Sequence, residues 1–195
     1  RVEAGEINED DFAQIYQEIE RLKQEQIEAE RNRKMPDGVL NTENILLFIK
    51  KEISKAIRYD LPFSALAFTV VKAKYQEQAP AGRKIPAQEI LDRVLERLAL
   101  IVRDTDVVGK LKKNQMVALL PMTPARDAKL ALKRTMKGIH SDPLELEGVK
   151  LDVTLAGTAT TYQKARTPDE NAFLEALSAD LVEMATRVKN IHALM

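Results

Sequence analysis

RDTDVVGKLKKNQMVALLP, residues 103–121, holds a helix end, two apolar runs and a polar break between them. Val107, Val108 and Leu111 lead into Lys112, Lys113, Asn114 and Gln115; Met116 to Leu120 then run apolar to Pro121. Two short aliphatic and β-branched runs around a polar break predict a β-hairpin. The second arm has no polar residue to turn towards solvent, which predicts a central place in a sheet. The tip carries amides and ammonium groups and no acid, and just upstream Arg103 and Asp106 stand three residues apart.

The elements on either side follow from periodicity. Ala87 to Arg103 places Ile90, Leu91, Val94, Leu98 and Ile101 on one face, opposite Asp92, Arg93, Glu96 and Arg97, which predicts an amphipathic helix. Phe63 to Val71 is nearly all apolar and reads as a buried strand. Before it, Asn44 to Arg58 predicts a helix capped by Asn41 or Thr42, burying Ile45, Phe48, Ile49, Ile53 and Ile57. Downstream, Thr123-Pro124 opens a helix to about Lys137, with Thr as its cap and Pro at its first position. Val149 to Thr161 alternates as a strand, and Thr167-Pro168-Asp169-Glu170 opens the last helix. The order helix, strand, helix, hairpin, helix, strand, helix predicts an α+β sandwich with a mainly antiparallel sheet covered by helices.

Residues 7–34 contain no Gly or Pro, and Phe12, Ile15, Ile19 and Leu22 follow three-four spacing. That is one narrow apolar seam on a long helix, suited to a partner helix. Two readings follow: a parallel signalling coiled coil that makes a homodimer and joins an upstream sensor, or a helix packed back on its own domain. Met35-Pro36-Asp37-Gly38 breaks the helix. We therefore expect residues 1–34 as an N-terminal signalling helix and 35–195 as one domain. The chain starts at Arg1 and not at Met, so a fragment of a longer protein is expected.

Composition excludes several classes. Lys+Arg and Asp+Glu are equal at 30 each, so no overall field favours nucleic acid or an acidic membrane. There is no cysteine, hence no disulfide framework or thiolate site, as suits a reducing cytoplasmic compartment. No apolar run approaches the roughly 20 residues that a membrane span needs. The two histidines stand alone, without a second ligand at metal spacing, and no phosphate-loop or nucleophile-elbow motif occurs. The hairpin lacks the aromatics of an RNA-binding sheet, so neither DNA nor RNA is an expected partner.

From about Met35 onwards, the chain resembles a degenerate GGDEF (diguanylate cyclase) domain. Arg103-Asp104-Thr105-Asp106 fits that family's RxxD inhibitory-site motif at the right distance from the hairpin, and Gly38, Val39 and Asn41 fit its entry motif. The signature at the hairpin tip is replaced by Lys112, Lys113, Asn114, Gln115 and Met116. The resemblance implies a nucleotidyl-cyclase-like, ferredoxin-type core and a role in bacterial signalling. It also implies that Thr69 and Val71 stand where active cyclases hold divalent metals, with Gln88 at a guanine-binding aspartate and Arg187 at a phosphate-binding lysine. Lys74 matches a family lysine, and Glu77 replaces an asparagine.

Two Mg²⁺ ions bridging triphosphate oxygens need anionic oxygen ligands, which Thr69 and Val71 do not supply. Glycines at the tip let backbone N–H groups reach phosphates, and lysine side chains obstruct that approach. No enzymatic activity, no metal and no cofactor are therefore expected. The resemblance instead implies a cyclic di-GMP receptor that binds through Arg103, Asp106 and Arg134. Arg offers a planar donor pair to guanine O6/N7 or phosphate, and Asp accepts from guanine N–H groups. In the family a bound nucleotide dimer is often completed by a basic residue of a neighbouring domain; Lys55 and Arg58 are candidates. Arg103 and Asp106 are expected at the surface, so that their replacement leaves folding intact. The competing readings are an ordinary i,i+3 surface ion pair and a dimerisation module that binds no nucleotide.

Overall fold

The computed structural model describes residues 9–32, 35–76, 87–111 and 114–193, and the chain divides into two units, Arg1–Lys34 and Met35–Met195. Lys112, Lys113 and Glu77 lie outside the described residues. In the first unit, α1 (Glu9–Asn32) is a 24-residue helix. Phe12, Ile15, Ile19 and Leu22 are all exposed on it, while Arg21 pairs with Glu18 and Glu25, and Lys23 with Glu20. The three- and four-residue spacing sets these apolar side chains along one side of the helix, next to i,i+3 and i,i+4 ion pairs.

The second unit begins with a turn. Val39 N–H donates to the Pro36 carbonyl at 3.0 Å, and Gly38 sits at φ +76°. The elements then run β1 (Val39–Leu40), α2 (Thr42–Tyr59), β2 (Phe63–Tyr75), α3 (Ala87–Ile101), β3 (Val107–Lys110) and β4 (Met116–Pro121). They continue with α4 (Ala125–His140), β5 (Leu144–Leu146), β6 (Val149–Thr161) and α5 (Glu170–Ala193). The sheet order is β1-β3-β4-β2-β6-β5. Only the β1–β3 pair is parallel, in register Val39↔Val108 and Leu40↔Gly109, so the sheet is mixed.

The predicted hairpin is β3–β4, and β4 lies inside the sheet with Met116 to Leu120 all buried. β2 extends past the predicted Val71, because its outer end pairs with β6 as far as Tyr75↔Leu151. The short strands β1 and β5 are additions to the predicted order. The β5–β6 turn, Glu147-Gly148, has both residues at positive φ, the geometry of a two-residue hairpin.

Alternation along β2 sends Leu66 and Phe68 to one face and Ala65 and Ala67 to the other. The first face packs on Leu91, Leu95 and Leu98 of α3 and Ala128 and Ile139 of α4. The second packs on Ile45, Ile49 and Ile53 of α2 and Phe173, Leu177 and Leu181 of α5. Two expectations change here. On α2, Phe48 and Ile57 are exposed and Ala56 is buried in their place, because the helix turns its 45-49-53-56 line to the sheet. Thr123 does not cap α4; its hydroxyl donates to the Pro121 carbonyl at 2.9 Å and Pro124 takes the cap position without a side-chain bond. Asn41 does cap α2, its side chain accepting from Asn44 N–H at 2.9 Å.

Candidate functional site

α3 ends at Ile101, so Arg103 and Asp106 stand beyond the helix, in the turn that leads into β3. The expected helix through Arg103 is two residues too long, because Asp106 diverts the backbone. Asp106 N–H donates to the Arg103 carbonyl at 2.9 Å, and Arg103 N–H donates to Asp106 Oδ2 at 3.0 Å. A short carboxylate that reaches a nearby amide offers the chain an alternative to another helical turn. Asp106 is consequently half-buried and not a free surface group, whereas Arg103 is exposed. Burial pushes the Asp106 carboxyl above its usual range. The Arg103 N–H and the charges of Arg103 and Arg134 pull it the other way.

Arg134 arrives by helix packing. Arg97 on α3 donates to the Ile139, Asp142 and Pro143 carbonyls at the end of α4. One turn further along α3, Ile101 meets Gly138, where an added Cβ would lie 2.9 Å from Ile101 Cδ1. The helices therefore run antiparallel and close, and the next turn sets Arg134 beside the Arg103–Asp106 turn. These three residues are brought together.

Beside the turn lies an open cleft of about 520 Å³ whose wall includes Asp37, Glu96, Asp104 and Asp106, with Arg103 among them. Asp37 comes from a distant part of the sequence. The parallel register that pairs Val39 with Val108 brings the residues just before β1 alongside the turn before β3. Leu100, almost fully exposed, forms an apolar part of the wall. The arrangement offers carboxylate acceptors to N–H donors and guanidinium donors to oxygen. Sequence reasoning missed the Asp37 wall; the only hint was the turn at Met35–Gly38.

Lys55 and Arg58 are not brought to this cleft. They lie on α2, which covers the opposite face of the sheet. Lys55 Nζ is 2.6 Å from Glu52 Oε1, and the Arg58 guanidinium stacks 5.9 Å from the Tyr59 ring centre.

The other predicted positions lie on the hairpin, β2, α3 and α5. Leu111 N–H donates to the Gln115 carbonyl at 2.7 Å, Asn114 has φ +60°, and Gln115 Nε2 donates to Ser178 Oγ of α5 at 3.1 Å. Met116 is fully buried. Thr69 and Val71 lie on β2 just past the Phe68↔Met116 pair, and a β-bulge shifts the register between Val70 and Lys72. Gln88 accepts from Lys110 Nζ at 3.5 Å and donates to Asp92 at 3.2 Å; Lys110 is only 7% exposed. Lys74 faces Asp152 at 4.0 Å, and Arg187 pairs with Glu183 at 3.8 Å. Among the described residues, no group of three or more His, Asp or Glu side chains is arranged to hold a metal ion. No described helix is long and apolar enough to cross a membrane.

No family model matches the sequence, and no curated protein matches it. Solved structures do. The GGDEF domain of PA1120 (TpbB or YfiN) from Pseudomonas aeruginosa superposes with a TM-score of 0.65 at 14% identity, over 79% of this chain and 90% of that one. The diguanylate cyclase SiaD of Pseudomonas aeruginosa, solved with its activator SiaC, gives 0.59 at 18% identity over 91% of this chain. This chain spans 66% of SiaD. The coiled coil and GGDEF domain of DgcB from Caulobacter crescentus, solved with c-di-GMP, gives 0.58 at 12% identity over 89% of this chain and 92% of that one. The chain has the GGDEF fold.

Proposed function

We propose that this chain is a catalytically silent GGDEF-fold domain that works in the cytoplasm as a cyclic di-GMP receptor and signal relay. The observation that carries the reading is the meeting of Arg103, Asp106 and Arg134 beside an open cleft. Cyclic di-GMP needs cations for its phosphates and carboxylates for the N–H edge of guanine, and both stand within one turn and one neighbouring helix. Lys55 or Arg58 of a second copy complete the site in a dimer. Calorimetric titration with cyclic di-GMP tests the proposal; absence of heat at millimolar nucleotide sinks it.

The binding is expected to be pH-dependent. Guanine N–H donors favour the Asp106 carboxylate, so ligand lowers a pKa that burial has raised in the free protein. Affinity is therefore full above the free-state pKa and falls as the pH drops through it, by at most about tenfold per pH unit. The loss begins at a higher pH than an ordinary aspartate would give. A flat affinity throughout the acid range in which circular dichroism shows the fold intact removes Asp106 from the site.

Catalytic silence rests on the chemistry at the hairpin. Thr69 and Val71 offer no charged ligand, and Gln115 spends its amide on Ser178. Incubation with GTP and Mg²⁺ or Mn²⁺ should yield no cyclic di-GMP by chromatography. Restoring Gly-Gly-Asp-Glu at 112–115 should not rescue turnover, because Thr69 still lacks a carboxylate. Turnover by the unmodified protein overturns this part of the reading.

The exposed seam of α1 supports relay through a parallel homodimer that passes a signal from an upstream domain or partner protein. By light scattering the whole chain should be a dimer, and a chain starting at Met35 a monomer. A monomer in both cases argues against the coiled coil.

A further inference from the structure

α4 carries its charge on one side. Arg126, Lys129, Lys133 and Lys137 recur at three- and four-residue steps along its exposed face, over about 16 Å at about 1.5 Å per residue. Asp127 is the only acid on the helix, and none of these four cations forms an ion pair with a described residue. Leu130, 56% exposed, stands among them. The equal numbers of acids and bases in the whole chain thus conceal a local excess of positive charge.

The make-up of the stripe selects its partner. α4 has no Phe, Tyr or Trp on which a base can stack, its one histidine, His140, is tied at Nδ1 to the Met136 carbonyl at the helix end, and it has no Asn or Gln to read a base edge. Three of the four cations are lysines, flexible point charges that do not demand a planar, bidentate acceptor. A straight, convex row of this kind meets an extended anionic surface along its full length, and one leucine among cations suits the boundary between headgroups and acyl chains. We propose that the exposed face of α4 is an electrostatic docking surface for membranes rich in anionic lipid headgroups. Arg134 stands near enough to Asp106 for its charge to act on that carboxylate, so it is counted with the neighbouring turn and not with the stripe.

Each basic residue held near an anionic leaflet raises partitioning about fivefold. The whole chain should co-sediment at low salt with vesicles of roughly seven parts phosphatidylcholine to three of phosphatidylglycerol. It should not sediment with phosphatidylcholine alone, and salt should release it. The Lys129→Glu, Lys133→Glu, Lys137→Glu triple variant should lose at least about a hundredfold in partitioning while unfolding at the wild-type temperature. The chain has no tryptophan, so Leu130→Trp introduces a single indole, excited apart from the tyrosines, whose emission should shift to the blue on the anionic vesicles. The proposal is overturned if nothing sediments at low salt, if the triple variant binds as well as wild type, or if the Trp emission stays unshifted in sedimented protein. Tighter, salt-sensitive retention on duplex DNA than on vesicles also overturns it, assigning the stripe to nucleic acid.

Discussion

Arg103→Ala is expected to weaken cyclic di-GMP binding by roughly ten- to a hundredfold, or about 1–3 kcal/mol. The side chain is exposed and only its backbone takes part in the turn, so thermal unfolding should not change. Asp106 is a different case. Its carboxylate accepts from Arg103 N–H, so Asp106→Ala loses the closure of the turn together with the proposed acceptor for guanine. The two contributions separate in Asp106→Asn, whose amide oxygen still closes the turn but whose N–H₂ faces the guanine donors as a second donor. Asp106→Ala should lower both affinity and stability, whereas Asp106→Asn should lower affinity with little change in stability. Equal binding by wild type and Arg103→Ala in calorimetry refutes the site.

Gly109→Val should cost about 1–3 kcal/mol of stability, which lowers the midpoint by about 2–12 °C in a domain of this size. An added Cβ at Gly109 would lie 2.8 Å from Ile45 Cδ1 and Cγ1 and 2.9 Å from Ile45 Cβ. The last of these atoms is fixed to the backbone of α2, so the clash is not relieved by a rotamer change alone. Gly109 also pairs with Leu40 in β1, so forcing α2 away disturbs the strand that carries Asp37 to the cleft. In an Ile45→Ala background Gly109→Val should cost less than it does alone, a coupling that calorimetric unfolding of the four proteins measures. Equal costs in the two backgrounds would show that the outer Ile45 atoms, Cδ1 and Cγ1, do not limit packing there, and would leave the limit at the Cβ that alanine keeps.

The long elements were legible because their apolar residues repeat often enough to reveal a period. Phe63 onwards, 107–121 and 149–161 became strands, and 87–101 a helix, much as their patterns predict. β1 and β5 were not legible: two or three residues establish no period, and both exist only because a longer partner pairs with them. Phe48 and Ile57 show a different failure. Apolarity says that a residue tolerates burial, whereas the rotation of α2 about its axis, set by the sheet, decides which of its residues are buried. At the candidate site, the spacing of Arg103, Asp106 and Arg134 was legible. The acidic wall was not, since Asp37 reaches it through a strand pairing with no local signal. Charge totals hid the α4 stripe, because a sum over the chain says nothing about where the signs segregate.

β2 lies between β4 and β6, and both partners come from later in the chain. Its second partner ends at Thr161, roughly 90 residues after Tyr75, which at about 5–20 residues per second is about 5–20 s of synthesis. For that interval a strand whose first six residues are all buried in the folded domain has at least one bare edge. Such an edge invites pairing with the same strand of another nascent chain. The outer end of β2, Lys72-Ala73-Lys74, interleaves charges with the apolar residues, which discourages that pairing where only β6 later covers it. A chain truncated before Val149 never acquires β6, and its fate should be aggregation instead of a smaller folded domain.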